Sequence, residues 1–182
     1  QATACNHTST HLLQAALRQV LGDHIHQSGS LVTPERLRFD FNHFEKISAD
    51  QLRQVESLVN EVIAADITVC TEELSYREAV ESGATALFNE KYGDQVRVVK
   101  VAGVSCELCG GTHVSNTAQI RVFRILSESS IATGVRRIEA LTANEALKLF
   151  GMERETLAEI NGILKTDPNQ VVNRVNSLMT DY

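Results

Sequence analysis

The chain has 182 residues, 43% hydrophobic and 22% charged, and a net charge of −6. That apolar share supports a buried core and argues against disorder, while no run approaches the roughly 20 apolar residues of a membrane span and no signal-peptide pattern opens the chain. An acidic chain is not a general nucleic-acid coat, but residues 95–142 carry six basic and three acidic side chains, a local patch open to an anionic partner.

Residues 6–21 are predicted as a helix, because Leu12, Leu13, Ala16, Leu17, Val20 and Leu21 recur at helical spacing. Asn6 reads as its N-cap and Gly22 as its stop. Residues 24–33 read as a short strand and a turn. Leu37, Phe39 and Phe41 alternate with Arg36, Arg38 and Asp40, the pattern of a half-buried strand. A second helix opens at Ser48 or Asp50, with Leu52, Val55, Leu58, Val59, Val62 and Ile63 as its buried stripe. Residues 67–73 read as a strand, 75–82 as a short helix ended by Gly83, and 95–101 as another strand. Cys106 to His113 reads as a tight turn. Residues 120–128 and 134–141 read as strands that pair as neighbours. From Ala143 the spacing becomes helical, and Pro168 separates the last two helices. The expected fold class is α+β: an antiparallel sheet from strands 36–42, 67–73, 95–101, 120–128 and 134–141 with helices packed on one face. The expected division is a domain at 1–142 and a helical extension at 143–182. That extension is expected to pack back on the domain, with an oligomerisation surface as the alternative. The chain opens on Gln1 rather than Met, as a piece of a longer or processed chain would.

Four cysteines are too few for a disulfide-built domain of this size and fit a reducing compartment. His7 and His11 stand four apart in the first helix, on one face. The expected helix start beside them disfavours extra positive charge and suits neutral imidazoles. Cys109-Gly-Gly-Thr-His113 places a thiol and an imidazole four apart, with two glycines expected to give the backbone freedom to fold both back to one point. His7, His11, Cys109 and His113 together form a borderline donor set suited to tetrahedral Zn²⁺. Cys106 and Cys109 also spell C-x-x-C, but no second such pair exists for a zinc ribbon, and the glycines after Cys109 speak against a redox pair. Cys5 and Cys70 read as small core residues. His24, His26 and His43 read as surface or core-edge residues, with His24 a spare ligand. Gln27-Ser28-Gly29-Ser30 reads either as a polar ligand site or as a capped turn. Of Arg136 and Arg137, adjacent on a strand, at most one faces a given phosphate.

These motifs occur together and in this order in one family. Asn6-His-Thr-Ser-Thr-His11-Leu-Leu, Gly29-Ser-Leu-Val32, Arg36-Leu-Arg-Phe-Asp-Phe41, Cys109-Gly-Gly-Thr-His113 and Gly134-Val-Arg-Arg-Ile-Glu-Ala140 resemble the editing domain of alanyl-tRNA synthetases. That domain is similar to free-standing alanyl-tRNA deacylases and to the editing region of threonyl-tRNA synthetases. The resemblance covers residues 3–142, and the tail resembles the helical stretch that follows in the synthetase. It implies hydrolysis of the ester in misacylated alanine tRNA carrying serine or glycine, as part of a cytoplasmic alanine–tRNA ligase. Such editing is needed because a hydrophobic alanine pocket rejects glycine or an added hydroxyl only weakly. The resemblance also implies one Zn²⁺ per chain on His7, His11, Cys109 and His113, a pocket role for Gln27 and tRNA handling by Arg136 and Arg137. By adjacency to the ligands, Thr8, Ser9, Thr10 and Thr112 can orient water or a serine side chain, with Thr8 and Thr112 the catalytic candidates. The implied partners are misacylated alanine tRNA and the rest of the synthetase chain, with no DNA and no membrane. No adenylation site is visible, so the chain is not expected to charge tRNA, and its modest basic patch predicts weak editing in trans. Rivals stand beside this reading: a zinc-stabilised tRNA-positioning module without hydrolytic activity, a metal-dependent hydrolase of another small ester or amide, and a free-standing deacylase.

Overall fold

The computed structural model describes residues 1–85 and 93–180. Contacts divide the chain into two units, Gln1–Glu145 and Ala146–Tyr182. The described elements of the first are helices α1 (Ala2–Leu21), α2 (Ala49–Ala64) and α3 (Tyr76–Glu81), and strands β1 (Gln27–Val32), β2 (Leu37–Asn42), β3 (Val69–Ser75), β4 (Gln95–Val101), β5 (Ser105–Leu108), β6 (Phe123–Ala132) and β7 (Val135–Thr142). Helix α4 (Ala143–Leu164) begins at the end of β7. In the second unit it is followed by a 3₁₀ turn at Pro168–Gln170 and by α5 (Val171–Thr180). Met152, Ile163, Val172 and Met179 there are exposed. Asp181 and Tyr182 of the expected extension lie outside the described residues.

The fold is α+β, and every strand pairing within its sheets is antiparallel. The strands form two sheets rather than the single set expected: β1-β2-β7-β6 and β3-β4-β5. Period-2 alternation decides what each face of the larger sheet meets. Leu37, Phe39 and Phe41 of β2 and Ile138 and Ala140 of β7 are buried in one cluster with Leu12, Leu13 and Leu17 of α1 and Val55, Val59 and Ile63 of α2. The smaller sheet is two-faced. Val99 and Val101 join that main cluster, while Val96, Val98 and Leu108 pack with Ala79 of α3.

Helix α2 starts where its sequence says it must. Ser48 Oγ accepts the Gln51 N–H and Gln51 Oε1 accepts the Ser48 N–H, a capping box. Helix α1 starts four residues earlier than expected. Asn6 is not its N-cap but a buried helical residue. Its amide donates to the Thr33 carbonyl (2.7 Å) and accepts from Thr142 Oγ1 (2.6 Å), tying α1 to the β1–β2 turn and the end of β7. His7 and His11 therefore lie past the first turn, beyond the strong reach of the helix dipole.

Two further boundaries differ from expectation. Residues 105–108 are a strand, turned back from β4 around Gly103 at φ 72°. The strand expected from 120 starts at Phe123, because residues 117–120 form a 3₁₀ turn capped by Asn116, whose Oδ1 accepts the Ala118 N–H. The chain then reverses through Arg121 at φ 67°.

Candidate metal centre

Helix α1 supplies His7 and His11, and the loop after β5 supplies Cys109 and His113. One donor atom from each lies within 4.8 Å of all the others. His7 Nε2 stands 3.4 Å from Cys109 Sγ, and His113 Nε2 stands 3.3 Å from it. A tetrahedral zinc with Zn–N of about 2.0 Å and Zn–S of about 2.3 Å spaces its donors roughly 3.5 Å apart. The four residues fit such an ion in donor chemistry and in spacing. Cys106 is outside the quartet; it packs beside Val96, Val98 and Leu108. His24 is outside it too, stacked on His43 with Nε2 3.0 Å from Nδ1. None of the four cysteines is in a disulfide.

The loop is tight for a steric reason. Gly110 and Gly111 were expected to supply unusual backbone angles, yet neither has a positive φ. Gly111 is needed for space: a Cβ there would run into the His7 ring. Arg97 holds the same loop and went unnoticed in the sequence. Its guanidinium donates to the carbonyls of Cys109 (3.0 Å) and Gly111, and its own carbonyl accepts the Cys109 N–H (3.0 Å). By alternation Arg97 shares a strand face with Val99 and Val101, but the β4–β5 hairpin that brings the loop over it was not legible.

Burial makes the histidines neutral donors. It pushes His11, 5% exposed, down to about 3, with the His7 charge adding to the effect. Burial, then His11, His7 and Arg97, takes His113 to about 3. His7 is lowered by burial, opposed by a backbone hydrogen bond to Thr112. Glu107 goes the other way, raised to about 7 by burial against a Ser105 hydrogen bond that lowers it. Folded-state values below the ordinary 6.5 make the histidine contribution to stability complete above pH 6.5, and it is lost as pH falls toward 3. The Glu107 contribution is complete below the ordinary 4.5 and lost as pH rises through about 7. Three histidines outweigh one acid on the acid side, so the chelated protein is expected to resist urea best near pH 6.5. Urea midpoints from pH 4 to 8 check this; a midpoint climbing steadily below pH 6 would contradict it.

The other candidates are placed as follows. Thr8, buried, lies with Oγ1 3.1 Å from His113 Nδ1 and accepts the Val114 N–H at 3.2 Å. Ser9 and Thr10 donate to the carbonyls of Cys5 and His7 within α1, turning their hydroxyl protons inward. Thr112 is exposed. Gln27, on β1, donates to Ser30 Oγ at 3.1 Å. Arg137 is forked onto Asp40 (2.7 and 2.8 Å), its partner across the β2–β7 ladder. Arg136, on the opposite face with Ile138 and Ala140, is ion-paired with Glu128 and only 8% exposed. Both guanidiniums thus already hold carboxylates.

Residues 96–139 match the family described as the threonyl and alanyl tRNA synthetase second additional domain. The whole chain is similar to alanine–tRNA ligases. Against the enzyme of Thermotoga maritima it is 56% identical over 178 residues, 98% of this chain and 21% of the relative. The Thermoanaerobacter sp. (strain X514) enzyme gives 52% over 175 residues, 96% of the chain and 20% of the relative. Alanine–tRNA ligase 1 of Lachnoclostridium phytofermentans gives 52% over 181 residues, 100% and 21%. The chain matches a segment of the alanine–tRNA ligases. It spans about a fifth of the length of these curated relatives, and the resemblance read from its motifs holds. Among the described residues no helix is long and apolar enough to cross a membrane.

Proposed function

We propose that this chain is the editing module of an alanine–tRNA ligase, hydrolysing the ester that links serine or glycine to alanine tRNA. In this reading residues 1–142 are the zinc-containing editing domain and 143–182 a helical extension leading into the rest of the synthetase. It works in the cytoplasm and does not charge tRNA. The observation that carries it is the meeting of His7, His11, Cys109 and His113 at one point in a chain that matches alanine–tRNA ligases over 98% of its length.

One Zn²⁺ per chain is the proposed ion; bound there, it supplies a fixed positive charge where an ester carbonyl accumulates negative charge. The side chains set the direction of approach. His11 is sealed in the interior, whereas His7, Cys109 and His113 are half-buried and Thr112 is exposed beside them. Substrate is proposed to enter over the Cys109–His113 loop, with the exposed Thr112 the candidate to orient a water or the serine side chain. Thr8 acts through His113, whose Nδ1 it holds while its oxygen is fixed by Val114. Gln27 is the proposed polar group for the aminoacyl moiety. Arg136 and Arg137 are proposed to serve tRNA handling by holding the β2–β7–β6 surface in shape, since each is paired with an acid.

The test is release of serine from serylated alanine tRNA by this chain, with correctly alanylated tRNA as the control. Hydrolysis that favours the serylated form, stops on chelation and returns with zinc supports the proposal. Zinc bound at one per chain with no hydrolysis favours the tRNA-positioning module, a reading that four protein donors, the usual count of a closed structural site, would suit.

A further inference from the structure

Each histidine of the quartet turns one ring nitrogen to the cluster and leaves the other to be answered from outside. His113 Nδ1 meets Thr8 Oγ1, and His7 meets the backbone of Thr112. His11 is the most buried of the three, and its Nδ1 is a buried polar atom with no hydrogen-bond partner among the described residues. Glu107 Oε2 lies 3.4 Å from it, just beyond the usual 2.7–3.2 Å range.

The carboxylate is there by construction. Glu107 pairs with Val99 across the β4–β5 ladder, so strand alternation aims it at the face that Val99 and Val101 bury against α1. An acid turned into a core is costly unless its oxygens are matched. Oε1 accepts the Ser105 hydroxyl at 2.9 Å, which leaves Oε2 for His11. The Glu107 side chain is only 12% exposed.

We propose that Glu107 is the positioning residue of the metal quartet: its carboxylate takes the Nδ1–H of His11 and holds that ring in the tautomer whose Nε2 lone pair faces Cys109, His7 and His113. This rests on the metal-site reading above. Ligating histidines hand their second N–H to such partners, and removing the partner weakens metal binding about 10–100-fold.

Two measurements test it. Two-bond ¹H–¹⁵N correlation NMR on the chelated wild-type chain at pH 8 reads the His11 tautomer without any ion. The Nδ1–H form supports the proposal, and the Nε2–H form overturns it. Zinc affinity by chelator competition is then compared in Glu107→Met, which keeps length but lacks an acceptor, and Glu107→Gln, which keeps an oxygen at the same reach. The expected result is a loss of about 10–100-fold in the Met variant, most of it recovered in the Gln variant, with the fold content unchanged by circular dichroism. Wild-type affinity in a folded Met variant overturns the proposal. A Met variant that does not fold leaves the decision to the wild-type tautomer. A wild-type chain that takes up no zinc would sink the metal-site reading itself, while the tautomer still decides the role of Glu107.

Discussion

Replacing Gly111 by alanine is expected to weaken zinc binding and serine release by roughly 10–100-fold while leaving the fold intact. The added methyl would occupy space taken by the His7 ring. Neither side can give easily. Gly111 is held through its carbonyl by Arg97, which also grips Cys109, and His7 is anchored in α1. Overpacking of this kind costs about 1–3 kcal/mol, and each 1.4 kcal/mol is tenfold in an equilibrium constant. Gly110 is the internal control, because a Cβ there meets nothing. Gly110→Ala is therefore expected to bind zinc as the wild type does. Isothermal titration of both variants reads the difference. Equal loss at the two positions would mean that backbone freedom, rather than room for His7, is what the glycines provide.

That contrast shows which parts of the site the sequence could reveal. The donor set is legible because both halves are local: two residues four apart on a helix, and two four apart across a glycine pair. Residue type and spacing carry it. What holds the donors is not local. Arg97 reaches the loop only because β5 folds back on β4, and β5 is four residues of mixed polarity, too short to show a period. Asn6 reads as a cap by type, yet its amide is used by Thr33 and Thr142, 27 and 136 residues away. Glu107 follows the same logic: its strand face is decided by a pairing the sequence does not display.

The larger sheet shows the same division. Leu37, Phe39 and Phe41 announce a strand and its buried face, and the structure puts all three at 0% exposure. Which strands flank it depends on long-range pairing. β2 sits between β1 and β7, and β7 is almost a hundred residues downstream. The split into two sheets has a physical cause in the smaller one: it must cover α3 with one face and the main core with the other. Runs such as Val96-Arg97-Val98-Val99-Lys100-Val101 give the β-branched content of a strand but not its neighbours.

The larger effect belongs to Cys109. Its sulfur meets two of the three histidines, 3.4 Å from His7 Nε2 and 3.3 Å from His113 Nε2. Structural zinc sites bind with about 10–16 kcal/mol in all, so one donor of four accounts for roughly 3 kcal/mol, or on the order of 100-fold in affinity. Alanine also removes the one donor whose bound form is anionic, which leaves three neutral imidazoles and raises the cost of holding a dication. Cys109→Ala is thus expected to lose its zinc at micromolar chelator and to lose serine release with it. Cys70→Ser, an exposed position outside the quartet, is expected to keep both. Metal content by mass spectrometry and deacylation of serylated alanine tRNA are read on the same samples. Zinc retained with hydrolysis lost would assign the sulfur a role in the reaction beyond holding the ion. Zinc lost with hydrolysis intact would remove the ion from the chemistry and leave Thr112 and the loop to act alone.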